Sequence, residues 1–207
     1  AQTGETVSII SSGDAGVYGM SSLVLDVLKQ KNWTPGEDME IHLIQGITAA
    51  NACASLVGAP LGHDHCSISL SDLLTPWPVI EKRVEMAASA DFVITLYNPA
   101  SGRRKEQLVR ACEMIKRHRL GTTPVALIKS AYRKKQKVIL TTLDEVLAEE
   151  VGMLSTIIVG NRNTYRFHDY LVTPRGYSNK YTETGDLLEG QQRARTLNLA
   201  ALVGDLK

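Results

Sequence analysis

Apolar and polar positions alternate along this chain in two rhythms. Val7-Ser8-Ile9-Ile10 is a short apolar run that ends in Ser11-Ser12-Gly13-Asp14-Ala15-Gly16, which reads as a strand feeding a glycine loop. Val17, Met20, Leu23, Val24, Val27 and Leu28 then recur at helical spacing, predicting a helix that stops near 29–32, ahead of Thr34-Pro35-Gly36. Ile41 to Ile44 predicts a second strand, followed by Gly46-Ile47-Thr48 and an alanine-rich helix from Ala49 to Val57. Two successive strand, loop and helix units are the mark of a parallel sheet.

Further along, Cys66 to Leu70 alternates as a strand does and leads into the proline-marked Thr75-Pro76-Trp77-Pro78. Helices are predicted over Val79 to Ala90 and Lys105 to His118, with a shorter one over Leu143 to Glu150. Strands are predicted at Phe92 to Tyr97, Val125 to Ile128, Lys137 to Thr141, Ile157 to Val159 and Tyr170 to Val172. The later strands lie close enough together for hairpins and a mixed sheet. From Ser178 the chain turns polar, with Leu187-Leu188 and Leu197 to Val203 as its apolar material, and a tail is expected. The organisation predicted is α/β: residues 1–72 as a partial parallel-sheet N-terminal domain, 73–177 as a mixed α/β domain, and 178–207 as the tail.

Composition changes this picture little. The 207 residues are 43% hydrophobic, enough for a sizeable core, and 23 basic residues against 22 acidic leave a net charge of +1. No overall field draws the chain to nucleic acid or to a lipid surface, so neither is an expected partner. No apolar stretch reaches the roughly 20 residues of a membrane helix, and the N-terminus lacks signal-peptide order, so a cytoplasmic protein is expected. Cys53, Cys66 and Cys112 are scattered, which argues against a disulfide framework and a paired-cysteine zinc site.

Candidate chemistry concentrates at the loops. Gly13, Gly16 and Gly19 keep a three-residue period that fits neither the dinucleotide fingerprint nor a phosphate loop. Glycines between strand and helix let backbone approach a ligand, and Asp14 there suits a hydroxyl or amine; equally, Asp14 could simply cap the next helix. Gly46-Ile47-Thr48-Ala49 is the second such junction, with Thr48 also readable as an ordinary helix cap, and neighbouring junctions at one sheet edge form a cleft. His63, His65 and Cys66 lack the further ligands of a recognisable metal site, so no metal is expected. His118, beside Lys116, Arg117 and Arg119, reads as a solvated residue suited to a helix C-terminus. The runs Arg103-Arg104-Lys105 and Arg133-Lys134-Lys135-Gln136-Lys137 read as a solvated helix start and hairpin tip, or else as a rim for a polycarboxylate ligand.

Taken in order, Gly13-Asp14-Ala15-Gly16-Val17-Tyr18-Gly19, Gly46-Ile47-Thr48-Ala49 and Leu96-Tyr97-Asn98-Pro99 resemble the tetrapyrrole methylase family. Gly58 to Asp64, Ile68 to Trp77, Ile158 to Asn161 and Thr173 to Tyr177 are similar to the branch that methylates C17 of corrin precursors. The match spans about residues 5 to 177. Ala15 and Gln45 stand where the family usually has proline, and nothing here corresponds to the family's opening strand and glycine-proline loop, so the chain is expected to lack that portion. The resemblance implies two α/β domains with S-adenosylmethionine held between them, a homodimer, and methylation at C17 of precorrin-3B or its cobalt form with ring contraction. It places Asp14, Val17, Thr48, Ala49, Asn98, Ala131 and Thr156 around the cofactor, with Gly13, Tyr18 and Tyr97 as neighbours. Ser71, Asp72 and Thr75 are the substrate contacts it suggests; it names no catalytic acid or base. A sister methylase acting at another ring carbon, or a non-catalytic binding module, are the alternative readings.

Overall fold

The structure, a computed structural model, describes residues 4–102, 104, 106–182 and 184–190. Its elements are α1 (Ser21–Gln30), α2 (Ala49–Val57), β1 (Gly58–Ala59), β2 (His65–Ser69), α3 (Trp77–Ser89), β3 (Val93–Tyr97), α4 (Glu106–Lys116), β4 (Pro124–Lys129), β5 (Lys137–Thr142), β6 (Ser155–Val159), β7 (Tyr165–Phe167) and β8 (Tyr170–Val172). Five strands form one sheet in the order β2-β3-β6-β4-β5, and three form a small sheet in the order β1-β8-β7.

The main sheet is mixed. β2 and β3 run parallel, with Cys66 beside Ile94 and Ser69 beside Tyr97, and α3 supplies the crossover that parallel neighbours require. β6 lies antiparallel to both β3 and β4, so every residue of β3 and β6 is buried, as interior strands covered on both faces must be. The alternation along β3 then sorts its side chains. Ile94 and Leu96 join Ile68, Leu70, Ile80, Val84, Leu108, Ile115, Leu127 and Ile157 in a core under α3 and α4. Val93 faces the other way, into a smaller cluster with Cys53, Ala54, Val57, Ala126, Ile128, Ile158 and Leu171 beneath α2. Burying a Leu or Ile side chain contributes about 1.5–3 kcal/mol, so the larger cluster dominates the stability of this part of the chain.

Arg119 is a buried tie across the sheet. Its guanidinium donates to the carbonyls of Phe92, just before β3, and Gly160, just after β6, and its side chain is 0% exposed. Asp91 Oδ1 lies 3.7 Å from Nε, and burial lowers the guanidinium's affinity for its proton. The reading of His118 as a solvated residue is thus corrected. Arg119 is inside the fold, and His118 pairs through Nε2 with Glu85 Oε1 of α3.

The two earliest predicted strands are absent. Val7 to Ile10 and Ile41 to Ile44 carry no strand pairing; Ile10 is 90% exposed and Ile44 78%. Apolar sequence sets local propensity, but a strand exists only with a partner ladder, and none of the described strands lies beside these two segments. The following helix begins only at Ser21, because Asp14 to Gly19 is spent on the loop, and α1 buries none of its residues. Leu143 to Glu150 shrinks to a single 3-10 turn, Val146–Ala148. Lys105 and Arg103 lie outside the described residues, and α4 runs over Glu106–Lys116.

The chain divides into two compact units, Ala1–Thr173 and Pro174–Lys207. In the second, the described residues hold one 3-10 turn, Tyr177–Asn179, and an isolated bridge between Tyr181 and Leu187. The apolar stretch Leu197 to Val203 lies outside the described residues. Among those described, no helix is long and apolar enough to cross a membrane.

Candidate functional site: a cleft at the ends of β3 and β6

Two loops meet edge to edge in the first unit, and one carboxylate joins them. Asp14 Oδ1 accepts from the Gly16 amide at 2.8 Å, and Oδ2 accepts from the Gly46 amide at 2.9 Å. These amides, Gly46 foremost, hold the Asp14 carboxyl below its ordinary 3.8. Asp14 therefore does not cap α1, whose N-cap is Met20 with no side-chain cap bond. It clamps the first loop to the second. Glycine at 46 is required by packing: a Cβ there would stand 2.0 Å from the Gly13 carbonyl oxygen. Gly13 itself has φ +77°, backbone that glycine adopts without strain.

The second loop is fixed from the sheet. Tyr97 closes β3 with its ring buried, and its hydroxyl meets Thr48 Oγ1 and accepts from the Ala50 amide at 2.7 Å. Thr48 occupies the N-cap of α2 yet makes no side-chain cap bond; Tyr97 satisfies the helix N-terminus instead. Tyr18 packs against Tyr97 with the rings tilted 52° and their centroids 4.8 Å apart, and it donates to the Ser67 carbonyl at 2.9 Å. Asn98, next after Tyr97, donates to Ser69 Oγ at 3.0 Å.

These side chains line an open cleft of about 660 Å³, within the range of small-molecule sites. Gly13, Asp14, Val17, Tyr18, Thr48, Ala49, Tyr97, Asn98, Ala131 and Thr156 all stand on its wall. Ser71, Asp72 and Thr75 do not. They lie on the connection from β2 to α3, where Asp72 accepts from Gln107 Nε2 at 2.9 Å and stands 3.9 Å from Arg104, and the Ser71 amide donates to Ser69 Oγ.

The far wall was legible in advance only at Ala131 and Thr156. Ser130, Tyr132 and Arg133, between β4 and β5, and Met153 and Leu154, before β6, also line the cleft. Ser130 donates its amide to the Leu154 carbonyl, and the Tyr132 hydroxyl meets Ser55 Oγ of α2 at 2.8 Å, so this turn is tied to both sides. Of the seven described non-glycine residues with left-handed backbone, four line this cleft: Tyr18, Asn98, Ser130 and Tyr132. Such conformations persist only where surroundings impose them, and they gather at functional sites. Cys53 was missed as well, although it falls one helical turn beyond Ala49.

The chemistry of this wall is that of holding rather than attacking. Asp14 is anionic but has both oxygens engaged by amides, and burial raises the Cys53 thiol, keeping it protonated and a poor nucleophile. Tyr18 is likewise pushed up by burial. Away from the cleft, His63 Nδ1 accepts from the Asp64 amide, and among the described residues no group of three His, Cys, Asp or Glu is placed to hold a metal.

The sequence model described as "Tetrapyrrole (Corrin/Porphyrin) Methylases" matches residues 1–147. The chain is 53% identical over 197 residues to "Cobalt-factor III methyltransferase" of Priestia megaterium, a match covering 94% of this chain and 36% of that protein. It is 52% identical over 178 residues to "Probable cobalt-factor III C(17)-methyltransferase" of Salmonella typhimurium, covering 86% of this chain and 72% of that one. The chain thus spans about a third of the first relative and under three quarters of the second. A solved structure described as that of the methyltransferase CobJ superposes with a TM-score of 0.78 at 35% identity, over 84% of this chain and 72% of that one. With its mixed α/β sheet, its paired glycine loops and these relatives, the chain belongs to the tetrapyrrole (corrin/porphyrin) methylases.

Proposed function

We propose that this chain is an S-adenosylmethionine-dependent C-methyltransferase acting at C17 of a corrin precursor, precorrin-3B or its cobalt form, with contraction of the ring. One observation carries the reading: the seven residues that the family resemblance assigns to the cofactor, and the three named as their neighbours, line a single cleft. The names of the two relatives support the C17 position and the cobalt form. The reading includes the division at 72 and 177, a cytoplasmic homodimer, and a tetrapyrrole as the partner, without nucleic acid or membrane.

The cleft fits such a cofactor on its own terms. Small residues at Gly13, Ala49 and Ala131 admit a ligand close to the backbone, and Thr48, Asn98, Ser130 and Thr156 offer polar groups around it. S-adenosylmethionine supplies a methyl group on a sulfonium, open to in-line displacement by an electron-rich ring carbon. The chain's task is then to orient and to exclude water. Asp14 locks the two loops in register, Tyr97 fixes the start of α2, and Tyr18 closes over Tyr97. No residue on the wall needs to act as a covalent nucleophile. The substrate approaches on this reading across Ser71, Asp72 and Thr75.

Calorimetric titration with S-adenosylhomocysteine, the stable product form, tests the reading. Saturable one-site binding is expected, and absence of binding rejects it. Turnover of cobalt-factor III compared with metal-free precorrin-3B then identifies which form is the substrate.

A further inference from the structure

The turn between β4 and β5 presents a cation to the cleft. Arg133 is exposed on the cleft wall, and among the described residues no Asp or Glu lies within ion-pair distance of it; Arg83, Arg162 and Arg175 are likewise without a carboxylate within 4.0 Å but do not line the cleft, and Arg104, Arg110, Arg117 and Arg119 are each paired. Among the described residues, the one carboxylate on the same wall, Asp14, has both oxygens committed to backbone amides. Lys134 and Lys135 follow directly and are also exposed, so the local field is positive although the chain as a whole is nearly neutral.

The backbone under Arg133 is preset. Ser130 and Tyr132 hold φ of +53° and +57°; the Arg133 amide donates to the Ser130 carbonyl, the Tyr132 amide to Gln136 Oε1 at 2.6 Å, and the Gln136 amide to the Arg133 carbonyl. A cation carried on a fixed turn gives up less conformational freedom on binding than one on a loose loop. A guanidinium also offers a planar fork of donors that matches a carboxylate with two parallel bonds. The same cleft wall carries apolar side chains left open to solvent, Ile47 at 70% and Met153 at 73%, with Leu154 beside them. Cation and apolar wall together describe a ligand with a flat apolar face and an acidic edge.

We propose that Arg133 binds a ligand carboxylate at the mouth of the cleft and so makes the site selective for carboxylate-rimmed tetrapyrroles. The inference rests on the methyltransferase reading, whose substrate carries acidic side chains around its ring. The amino-acid end of the cofactor offers a carboxylate of the same chemistry, and the two ligand arms of the test distinguish it from the edge of the tetrapyrrole.

The experiment measures affinity of the full chain for cobalt-factor III by absorbance titration and for S-adenosylhomocysteine by calorimetry, in wild type, Arg133→Gln, Arg133→Lys and Lys82→Gln. Lys82→Gln removes an equal charge from the exposed side of α3. Arg133→Gln is expected to weaken the tetrapyrrole about tenfold, the loss of one charge-assisted contact, and to leave S-adenosylhomocysteine within about twofold. Arg133→Lys is expected to recover part of the loss, and Lys82→Gln to show none of it. Loss confined to S-adenosylhomocysteine keeps the carboxylate contact but assigns it to the cofactor, overturning the selectivity for tetrapyrroles. Equal affinities in wild type and Arg133→Gln for both ligands overturn the contact altogether. A wild-type chain that binds neither ligand removes the methyltransferase reading and this inference with it.

Discussion

The Tyr97 hydroxyl accepts a hydrogen bond from the Ala50 amide at 2.7 Å, so a side chain from the end of β3 caps the N-terminus of α2. The helix's own N-cap residue, Thr48, turns its hydroxyl to the same tyrosine. Sheet and binding loop are therefore joined by one phenolic oxygen. Tyr97→Phe keeps the ring and removes both bonds. It is expected to cost about 1–2 kcal/mol of stability, the worth of a helix cap, and to weaken S-adenosylhomocysteine binding. Thermal melts and calorimetry on the same preparation check this; an unchanged melting point would show that water replaces the hydroxyl without loss.

Asp14 gives a pH signature. The Gly46 and Gly16 amides hold its carboxyl below the ordinary 3.8 in the folded chain. A depressed folded value means that the clamp's contribution is fully present above the unfolded value and is lost as pH falls through the folded one. Asp14→Asn retains one acceptor but turns a donor toward the second amide. The stability gap between wild type and Asp14→Asn should therefore hold steady from neutral pH down to about 5 and narrow below the ordinary carboxylate range. Urea unfolding across that range measures it, and a gap that stays constant into strong acid counts against the clamp.

Arg119 is a stability residue and not a site residue. Arg119→Met leaves the Phe92 and Gly160 carbonyls without their donor and Asp91 without its cation, at an expected cost of about 3 kcal/mol. The urea midpoint should fall while S-adenosylhomocysteine affinity in the folded range stays unchanged. A loss of affinity without a loss of stability would contradict this assignment.

What could be read in advance follows from where the information lies. α2 was predicted at its observed bounds, and β2 through β6 to within two residues at either end, because alternation and helical spacing are written into contiguous sequence. The near wall of the cleft was legible through its motif loops. On the far wall Ala131 and Thr156 were legible through the family resemblance, whereas Ser130 and Tyr132 were not, because they reach the cleft only through a left-handed turn that neither serine nor tyrosine announces. Arg133 was read as a hairpin tip or a polycarboxylate rim, and the turn puts it on the cleft wall. The failure at Val7 to Ile10 and Ile41 to Ile44 has the opposite cause: their local pattern is strand-like, and pairing decides otherwise. The clamp at Asp14 was half legible, since a loop aspartate was singled out, but its partner Gly46 lies 32 positions away.

The strand order β2-β3-β6-β4-β5 has a bearing on synthesis. β6, at the middle of the sheet, is the last of its five strands to leave the ribosome. Until Val159 has emerged, the β2–β3 pair and the β4–β5 hairpin have no edge in common, and each exposes an unpaired ladder to solvent or to a chaperone. The ribosome thus releases two half-sheets that only a late strand can splice, and a pause in translation just before that strand is where nascent copies of this chain are most open to aggregation.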